Sequence, residues 1–387
     1  MPSPHLAVYL AARSLLYFRH VLSHLPADEV DILVPRALCA DQNPPNPTLA
    51  ALRGQGYAVL PDDAARGPYG ALAVAGVPDL LNHPHLSLLA ERRVLMLHAT
   101  TFLPRLAHAE YSHFLCMYER QARQAAGAAA RPPAGKAENA QAVQEFAHAG
   151  LYQLGEWETR RHEDKNALRR ELAQGLNIAI PCGKRIVFYC GGLLDCPQEQ
   201  IRTVLHLSRH YFVIFKPYYF LPEHQILLGA PSTATIQDTL TVAPGCMRFA
   251  ADVILASPLS GVFTTCLMLG LAVLPLLTEH QALPQARETF VPWQNVLAAH
   301  NEEQRLAGLL GGVFSTDRLP ALEKRMEDGV YWRKYTQCLP LVQRKFFGRY
   351  ATEGAARYAA RLLLRVALRG SFGPDTFLRR PRPVGSA

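Results

Sequence analysis

The chain has 387 residues, of which 49% are hydrophobic and 19% are charged, and its formal net charge is +8. This length predicts two domains, and the composition excludes a globally disordered protein. No apolar run reaches the ~18 residues of a membrane-spanning helix. The eight cysteines include no CxxC pair and indicate free thiols in a reducing cytoplasm rather than a zinc site.

The first half of the chain alternates between strands and helices. HLAVYLA, VDILVP, YAVLP, ALAVAG and RRVLMLHAT predict strands, whereas SLLYFRHVLSHLP and NPTLAALRGQG predict helices. This alternation is typical of a parallel sheet and predicts a Rossmann-like domain over residues 1–176. Residues 121–144 are rich in alanine and broken by RPPAG, which predicts a mobile insertion or two loosely packed helices. A flexible insertion is favoured over a partner-binding segment.

A second α/β series follows a charged helical stretch at 157–176. GKRIVFYCGG, YFVIFKP, AADVILAS and LAVLPL predict strands, with QEQIRTVLHLSRH as a helix among them. We therefore expect a second Rossmann-like domain over residues 177–330. Basic and aromatic helices at 331–370 follow it, and residues 371–387 are predicted to be a disordered tail.

Several common active-site motifs do not occur in the sequence. It has no GxGxxG after the first strand, no GxxxxGK[ST], no HExxH and no GxSxG. These omissions disfavour NAD binding, P-loop chemistry, zinc hydrolysis and a serine-hydrolase elbow. There is also no DxD motif, so we expect no metal cofactor. His83, His85, His108 and His113 show no partner pattern.

The turn after AADVILAS is the most informative local feature. Ser260 and Gly261 begin a predicted helix, and Thr264 lies in its first turn. A helix N-terminus offers unpaired N–H groups and partial positive charge, which suit a phosphate. In an open α/β sheet, ligands bind beyond the carboxyl ends of the strands. The alternative is an ordinary βαβ unit with a capped helix.

Several segments between residues 95 and 275 follow a known family in order and spacing. They are Leu97-His98-Ala99-Thr100-Thr101 with Arg105, Leu168 to Leu172, Gly183 to Tyr189, Phe215 to Phe220, and Ala251-Asp252 with Ser260-Gly261. The chain resembles the CDP-glycerol glycerophosphotransferases of teichoic-acid and capsule assembly. The resemblance implies the α/β GT-B fold, in which two Rossmann-like, doubly wound domains face a cleft. Pro258-Leu259 stand where that family has Asp-Tyr.

The resemblance also implies roles for individual residues. It places His98 as the catalytic base on the acceptor hydroxyl, with Thr100 and Arg105 on the acceptor side, and the alternative for His98 is a structural histidine in a turn. The expected donor-phosphate residues are Gly191, Gly192, Lys216, Tyr218, Ser260, Gly261 and Thr264. Each has a structural alternative: a tight turn for Gly191 and Gly192, a solvated lysine for Lys216 and a core aromatic for Tyr218. For Ser260, Gly261 and Thr264 the alternative is an ordinary capped helix.

Residues 341–387 hold ten basic and two acidic residues and so carry the whole net charge. Arg357, Arg361, Arg365 and Arg369 recur every fourth residue, which is typical of an amphipathic helix on an anionic membrane surface. A helix packed on the first domain with solvated arginines is the alternative, and no motif supports nucleic-acid binding.

Together these features predict a cytoplasmic transferase, peripheral at the inner face of the cytoplasmic membrane. It would move a nucleotide-activated sugar or glycerol phosphate onto a polysaccharide, lipid-linked or teichoic-acid-like acceptor. The alternatives are an inverting sugar-nucleotide glycosyltransferase of capsule or lipopolysaccharide synthesis, a sugar-nucleotide epimerase, and a non-catalytic GT-B binding protein.

Overall fold

The computed structural model describes residues 5–11, 14–39, 47–75, 83–97, 111–129, 144–153, 162–181, 183–192, 195–237, 245–257, 260–277, 314–316, 318–350, 354–374 and 376–379. The chain forms two compact units. Unit 1 comprises residues 1–156 and 348–387, and unit 2 comprises residues 157–347. The sequence pattern instead placed the boundary at residue 176 and left helices 331–370 separate.

Unit 1 contains an eight-stranded sheet in the order β14-β7-β6-β5-β4-β1-β2-β3. Its strands are β1 (Leu6–Tyr9), β2 (Val30–Val34), β3 (Ala58–Pro61), β4 (Ala71–Val74), β5 (Arg93–Met96), β6 (His113–Cys116), β7 (Gln144–His148) and β14 (Phe377–Arg379). The first seven strands are parallel. The five predicted strands are confirmed; β1, β2 and β4 are fully buried, β5 is buried except at Arg93, and β3, at the edge of the sheet, is half-buried.

The helices of unit 1 are α1 (Ser14–Leu22), α2 (Arg36–Cys39), α3 (Pro47–Gly54), α4 (Glu119–Ala129) and α11 (Ala355–Arg369). In α4, Ala122 and Ala125 are fully buried in the core. For residues 121–129 the mobile alternative is therefore wrong and the helical one applies, although the helix is closely packed because its side chains are small. Residues 130–143 lie outside the described residues.

The end of the chain also differs from its prediction. Phe377–Arg379 pairs antiparallel with β7, so this part of the predicted disordered tail is an edge strand. Before it, Glu145 accepts hydrogen bonds of 2.9 Å from the Ser371 hydroxyl and the Phe372 amide. Residues 380–387 are outside the described residues.

Helix α11 packs on α1, β1 and β4. Its alanine, leucine and valine face is buried, whereas Arg357, Arg361, Arg365 and Arg369 are exposed. At Gly70, a Cβ atom would collide with the carbonyl oxygen of Ala367. The apolar face that would enter a membrane is thus occupied by unit 1, which is the packed alternative for this helix.

Unit 2 contains a six-stranded parallel sheet in the order β10-β9-β8-β11-β12-β13. The strands are β8 (Ile186–Cys190), β9 (Phe212–Lys216), β10 (Thr233–Thr235), β11 (Val253–Ala256), β12 (Val273–Leu277) and β13 (Phe314–Ser315). The helices are α5 (Lys165–Leu176), α6 (Pro197–Leu207), α7 (Gly245–Ala250), α8 (Gly261–Met268), α9 (Leu319–Glu327) and α10 (Gly329–Phe347). The four strands predicted for this region are confirmed.

At the amino ends of β8 and β11, Asp252 joins three elements. Its carboxylate accepts hydrogen bonds from Lys165 Nζ at 2.9 Å, Arg169 Nη2 at 2.6 Å and the Ile186 amide at 2.7 Å. Burial opposes ionisation of Asp252, but the hydrogen bonds and the two cations outweigh it and lower its pKa. The Ala-Asp pair of the family resemblance therefore has a structural role in this chain.

Candidate functional site

The predicted donor residues of unit 2 meet at the point where its strand order reverses. From β8 the chain passes to β9 and β10 on one side, and it later returns to β11 on the other side. Gly191 and Gly192 follow β8, and Ser257 follows β11. In open α/β sheets this switch point is where ligands bind, beyond the carboxyl ends of the strands.

The two glycines lie against neighbouring side chains at this switch point. A Cβ atom on Gly192 would lie 2.7 Å from Ser257 Cβ and 3.1 Å from Asp195 Oδ1. A Cβ atom on Gly191 would collide with the Gln200 amide, and the Gly191 amide donates to the Lys216 carbonyl at 2.9 Å. Any larger residue here would displace the loop, so packing inside the protein already requires both glycines, and their approach to a ligand stays a prediction.

A chain of hydrogen bonds holds this loop in place. The Gly192 amide donates to Asp195 Oδ2 at 2.5 Å, and Gln200 Nε2 lies 3.4 Å from the same oxygen. Gln200 Oε1 faces His224 Nε2 at 2.9 Å, while His224 Nδ1 accepts from the Leu221 amide at 3.0 Å. His224 therefore carries its proton on Nε2. Burial lowers the pKa of His224 and keeps it neutral.

Helix α8 begins beside the glycine loop. The Ser260 hydroxyl accepts from the Val262 amide at 3.2 Å, as an N-cap does. Within the described residues, no hydrogen bond is made by the Gly261 amide. Thr264 is buried in the first turn, and the neighbouring Thr265 hydroxyl bonds back to the Gly261 carbonyl at 2.7 Å. The cap and one open donor thus stand where the sequence predicted a phosphate site.

Lys216 and Tyr218 come from the carboxyl end of β9. Lys216 is only 8% exposed and is the register partner of Cys190, the last residue of β8. Burial raises the pKa of the Cys190 thiol, and the nearby charges of Lys216 and Arg248 oppose that rise. Tyr218 is half-exposed with its ring edge-on to Tyr219, 4.9 Å between centroids. It is therefore a surface aromatic and not part of the core.

The sequence analysis missed Asp195, Gln200, His224 and Arg248. Asp195 lies in the predicted loop region but has no motif, and Gln200 and His224 reach the glycines only through tertiary packing. Arg248 lies on α7, whose sequence GCMRFA resembles an ordinary helix. It is 7% exposed, and among the described residues its Nε atom has no hydrogen-bond partner. A buried arginine Nε atom without a hydrogen-bond partner is unusual in proteins.

The acceptor-side residues His98, Thr100 and Arg105 lie outside the described residues. Unit 1 does bring other histidines together: His83 Nδ1 and His85 Nε2 lie 3.8 and 3.4 Å from one oxygen of the buried Asp62. Asp62 directly follows β3, and the His83 ring lies 5.5 Å from that of Tyr9 at the end of β1. No sequence pattern indicated this contact, which depends on tertiary structure.

No group of His, Cys, Asp or Glu residues in the described ranges could hold a metal ion. The six described cysteines are free thiols. In the same part of the chain, no helix is long and apolar enough to cross a membrane.

With this geometry in place, comparisons with known proteins identify the fold. No sequence-family profile matches the chain, and no curated protein matches it. A variant of the wall teichoic acid polymerase TagF, soaked with CDPG, is similar in structure with a TM-score of 0.61. That similarity has 9% sequence identity and covers 95% of this chain and 90% of that chain.

A second solved structure supports the same assignment. Anabaena Alr3699/HepE in complex with UDP and glucose has a TM-score of 0.51 at 10% identity, over 93% of this chain and 99% of that chain. This chain has the α/β GT-B fold. The predicted fold class is confirmed, and at these identities the likeness concerns the fold alone.

Proposed function

We propose that this protein is a transferase that moves a nucleotide-activated group, a sugar or glycerol phosphate, onto a cell-surface polysaccharide or teichoic-acid-like acceptor. The observation that carries the proposal is the convergence of Gly192, Ser257 and the Ser260-capped helix α8 at the switch point of unit 2. The fold does not define a reaction, so the proposal rests on this site.

The donor is bound by its phosphate groups at the carboxyl edge of unit 2. The N-terminus of α8 supplies the Gly261 amide and partial positive charge, and Lys216 supplies a nearly buried cation. The glycine loop lets the backbone approach the ligand, and Tyr218 borders the site from the end of β9. In this environment of restricted solvent, these groups stabilise the negative charge that develops on the leaving nucleotide.

The chemical step is a displacement at the transferred group. The acceptor hydroxyl oxygen forms a bond to that group while its bond to the nucleotide breaks, and the nucleotide leaves with the electron pair. The acceptor proton passes to His98, the base that the family resemblance suggests, with Thr100 and Arg105 on the acceptor side. The acceptor is a polysaccharide or a lipid-linked chain. The exposed arginines of α11 would bind the protein to the anionic inner surface of the membrane, where a lipid-linked acceptor lies.

Glycosyl transfer is the second candidate reaction. Pro258-Leu259 replace the Asp-Tyr of the glycerophosphotransferase pattern, which favours a sugar nucleotide over CDP-glycerol. The neighbour Alr3699/HepE was solved in complex with UDP and glucose. Both candidates require a nucleotide donor in unit 2 and differ in the group transferred.

Ligand-induced thermal stabilisation tests the shared requirement. The protein is screened against CDP, UDP, GDP, ADP and their activated sugars or glycerol. A ligand at 100 times its Kd adds about 2.7 kcal/mol of stability. Lys216→Met should reduce the shift, whereas Lys324→Met, at an exposed position on α9, should leave it unchanged. Absence of any shift in the wild type would reject a working donor site. Release of nucleotide only in the presence of acceptor then distinguishes a transferase from a binding protein or an epimerase.

A further inference from the structure

Resting on the proposed function, we propose that Asp62, His83 and His85 of unit 1 form a binding site for the end group of the acceptor, and that this site takes an uncharged polyol and discriminates against a phosphorylated one. The ligand class is a sugar or glycerol unit with free hydroxyl groups. None of the three residues belongs to a motif of the family resemblance, so the site does not follow from it.

The first argument is the position of the cluster in the sheet of unit 1. From β1 the chain passes to β2 and β3 on one side, and it continues with β4 on the other side of β1. Asp62 directly follows β3, and the His83 ring lies 5.5 Å from the ring of Tyr9, the last residue of β1. The cluster therefore lies at the carboxyl edge, beside the switch point at which open α/β sheets bind ligands.

The second argument is the exposure of the three side chains. The Asp62 side chain is 9% exposed, whereas those of His83 and His85 are 37% and 46% exposed. The two imidazole rings lie edge-on to each other, with 6.0 Å between their centroids. A nearly buried carboxylate thus adjoins two rings that a ligand in solution can reach.

The third argument is the hydrogen-bonding capacity that remains in the cluster. Asp62 Oδ1 accepts from the Asp63 amide at 3.1 Å. Asp62 Oδ2 lies 3.8 Å from His83 Nδ1 and 3.4 Å from His85 Nε2, and it accepts no hydrogen bond within the described residues. A ligand hydroxyl can donate to this oxygen and accept from an imidazole N–H, because a hydroxyl group is both donor and acceptor. An ionised phosphate oxygen only accepts, so it cannot bond to the carboxylate.

The fourth argument is the charge of the cluster. The neighbouring Asp63 carboxylate is paired with Arg36 at 2.6 Å, so that pair adds no net charge. With neutral imidazoles, the Asp62 carboxylate gives the cluster one negative charge, which repels a phosphate. Repulsion of the wrong ligand is a common source of specificity in binding sites. The cluster therefore favours an uncharged end group over an anionic one.

The test follows the histidine imidazole signals of the full-length protein by NMR at pH 8, where imidazole is ordinarily neutral. Glucose, glucose 6-phosphate, glycerol and glycerol 3-phosphate are titrated separately, and each Kd is read from the signals of His83 and His85. His83→Gln and His85→Gln assign these signals. The wild type should bind each polyol at least about fivefold more tightly than its phosphate, because the phosphate and the Asp62 carboxylate repel each other.

Asp62→Asn should weaken polyol binding roughly three- to tenfold, because an amide oxygen is a weaker acceptor than a carboxylate, and it should largely remove the preference over the phosphate. His85→Gln keeps the carboxylate, so it should weaken binding but retain the preference. His24→Gln, at an exposed position of the same unit, is the control and should match the wild type. Added salt should shrink the preference of the wild type by screening the repulsion, which tests the charge effect even if Asp62→Asn does not fold.

Three results would overturn the inference. If neither glucose nor glycerol shifts the two histidine signals, the cluster is not a polyol site. If the wild type binds the phosphates as tightly as the polyols, or if folded Asp62→Asn keeps the wild-type preference, Asp62 does not select the ligand. All three leave the proposed function standing when nucleotides stabilise the protein. If the polyols bind as expected and no nucleotide does, the polyol site stands and the proposed function fails.

Discussion

The buried carboxylates at the two edges of the sheet in unit 2 have different partners. At the amino edge, the Asp252 carboxylate is matched by Lys165 and Arg169, and every partner is supplied by the protein. At the carboxyl edge, Lys216 and Arg248 are nearly buried, and the buried Asp195 accepts from the Gly192 amide. Both edges hold two cations and one carboxylate; they differ in that both cations of the amino edge bind their carboxylate, whereas Asp195 holds the glycine loop.

The largest expected change in stability comes from a substitution at the amino edge. Asp252→Ala removes three hydrogen bonds and leaves Lys165 and Arg169 without their carboxylate. The free energy of unfolding of unit 2 should fall by about 2–4 kcal/mol. Urea unfolding followed by tryptophan fluorescence measures it, because all three tryptophans of the chain belong to unit 2.

Asp252→Asn is the graded control for this change. It keeps an oxygen that can accept from the Ile186 amide but removes the negative charge. The free energy of unfolding should therefore fall less than in Asp252→Ala. Affinity for the preferred nucleotide should stay at the wild-type value in both variants, since the change lies at the opposite edge from the site. A loss below about 1 kcal/mol in Asp252→Ala, or a weakened nucleotide affinity, would break the contrast between the two edges.

The next effect concerns the glycine loop at the carboxyl edge. Gly192→Ala places a Cβ atom 2.7 Å from Ser257 Cβ, and such overpacking typically destabilises by about 1–3 kcal/mol. The displaced loop should also abolish nucleotide-induced thermal stabilisation. Gly175→Ala, in α5 where a Cβ atom meets nothing within 4 Å, should instead stabilise by about 0.5–1 kcal/mol. Equal behaviour of the two alanine variants would show that Gly192 is not in close contact.

Local chemistry explains why much of unit 2 could be predicted from the sequence. The strands of β8, β9, β11 and β12 are uninterrupted apolar runs, and the glycines and Ser260 follow them directly. In unit 1, by contrast, β6 and β7 escaped prediction. QEFAH mixes polar with apolar side chains, whereas HFLC is as short as β1, β3, β4 and β5, so its length does not explain why it was missed. The pairing of β14 with β7 joins segments more than 200 residues apart, and no local pattern encodes it.

The side chains that complete the site were beyond prediction for a related reason. Arg248 occupies an ordinary helical position, and only the fold shows that it is buried, with an Nε atom that has no hydrogen-bond partner among the described residues. His83 and His85 meet Asp62 through tertiary structure, since the aspartate lies on another connection. His98, the main catalytic prediction, lies outside the described residues and stays a prediction.

A smaller effect is expected from pH, through the support of the glycine loop. The pKa of His224 is lowered in the folded protein, so the unfolded state binds a proton first as the pH falls. The stability of unit 2 should therefore decrease below about pH 6.5, with a slope of at most about 1.4 kcal/mol per pH unit from this group. Protonated Nδ1 would face the Leu221 amide, donor against donor.

His224→Gln isolates this contribution. It removes the titrating ring while retaining an amide that can donate towards Gln200. Between pH 5 and 7 its tryptophan-detected stability should vary less than that of the wild type. Asp252 and Asp328, whose pKa values are also lowered, lose their contribution only at lower pH, near and below their ordinary values. Identical pH profiles for the two proteins would exclude His224 as the source.

The smallest expected change in stability comes from removing a helix cap at either edge of the sheet. Ser260 caps α8 at the carboxyl edge, and Asp164 caps α5 beside the Lys165 that binds Asp252; both side chains accept from a backbone amide of the first turn. Replacement of either residue by alanine should lower the free energy of unfolding by about 1 kcal/mol. Only Ser260→Ala should also weaken nucleotide binding, because only that helix begins at the carboxyl edge, where the donor phosphates are proposed to bind. Since the two losses of stability are matched, any difference in nucleotide affinity measures the position of the cap and not its strength. If both variants weakened nucleotide binding equally, binding would follow the general stability of unit 2. That result would contradict a donor site at the carboxyl edge.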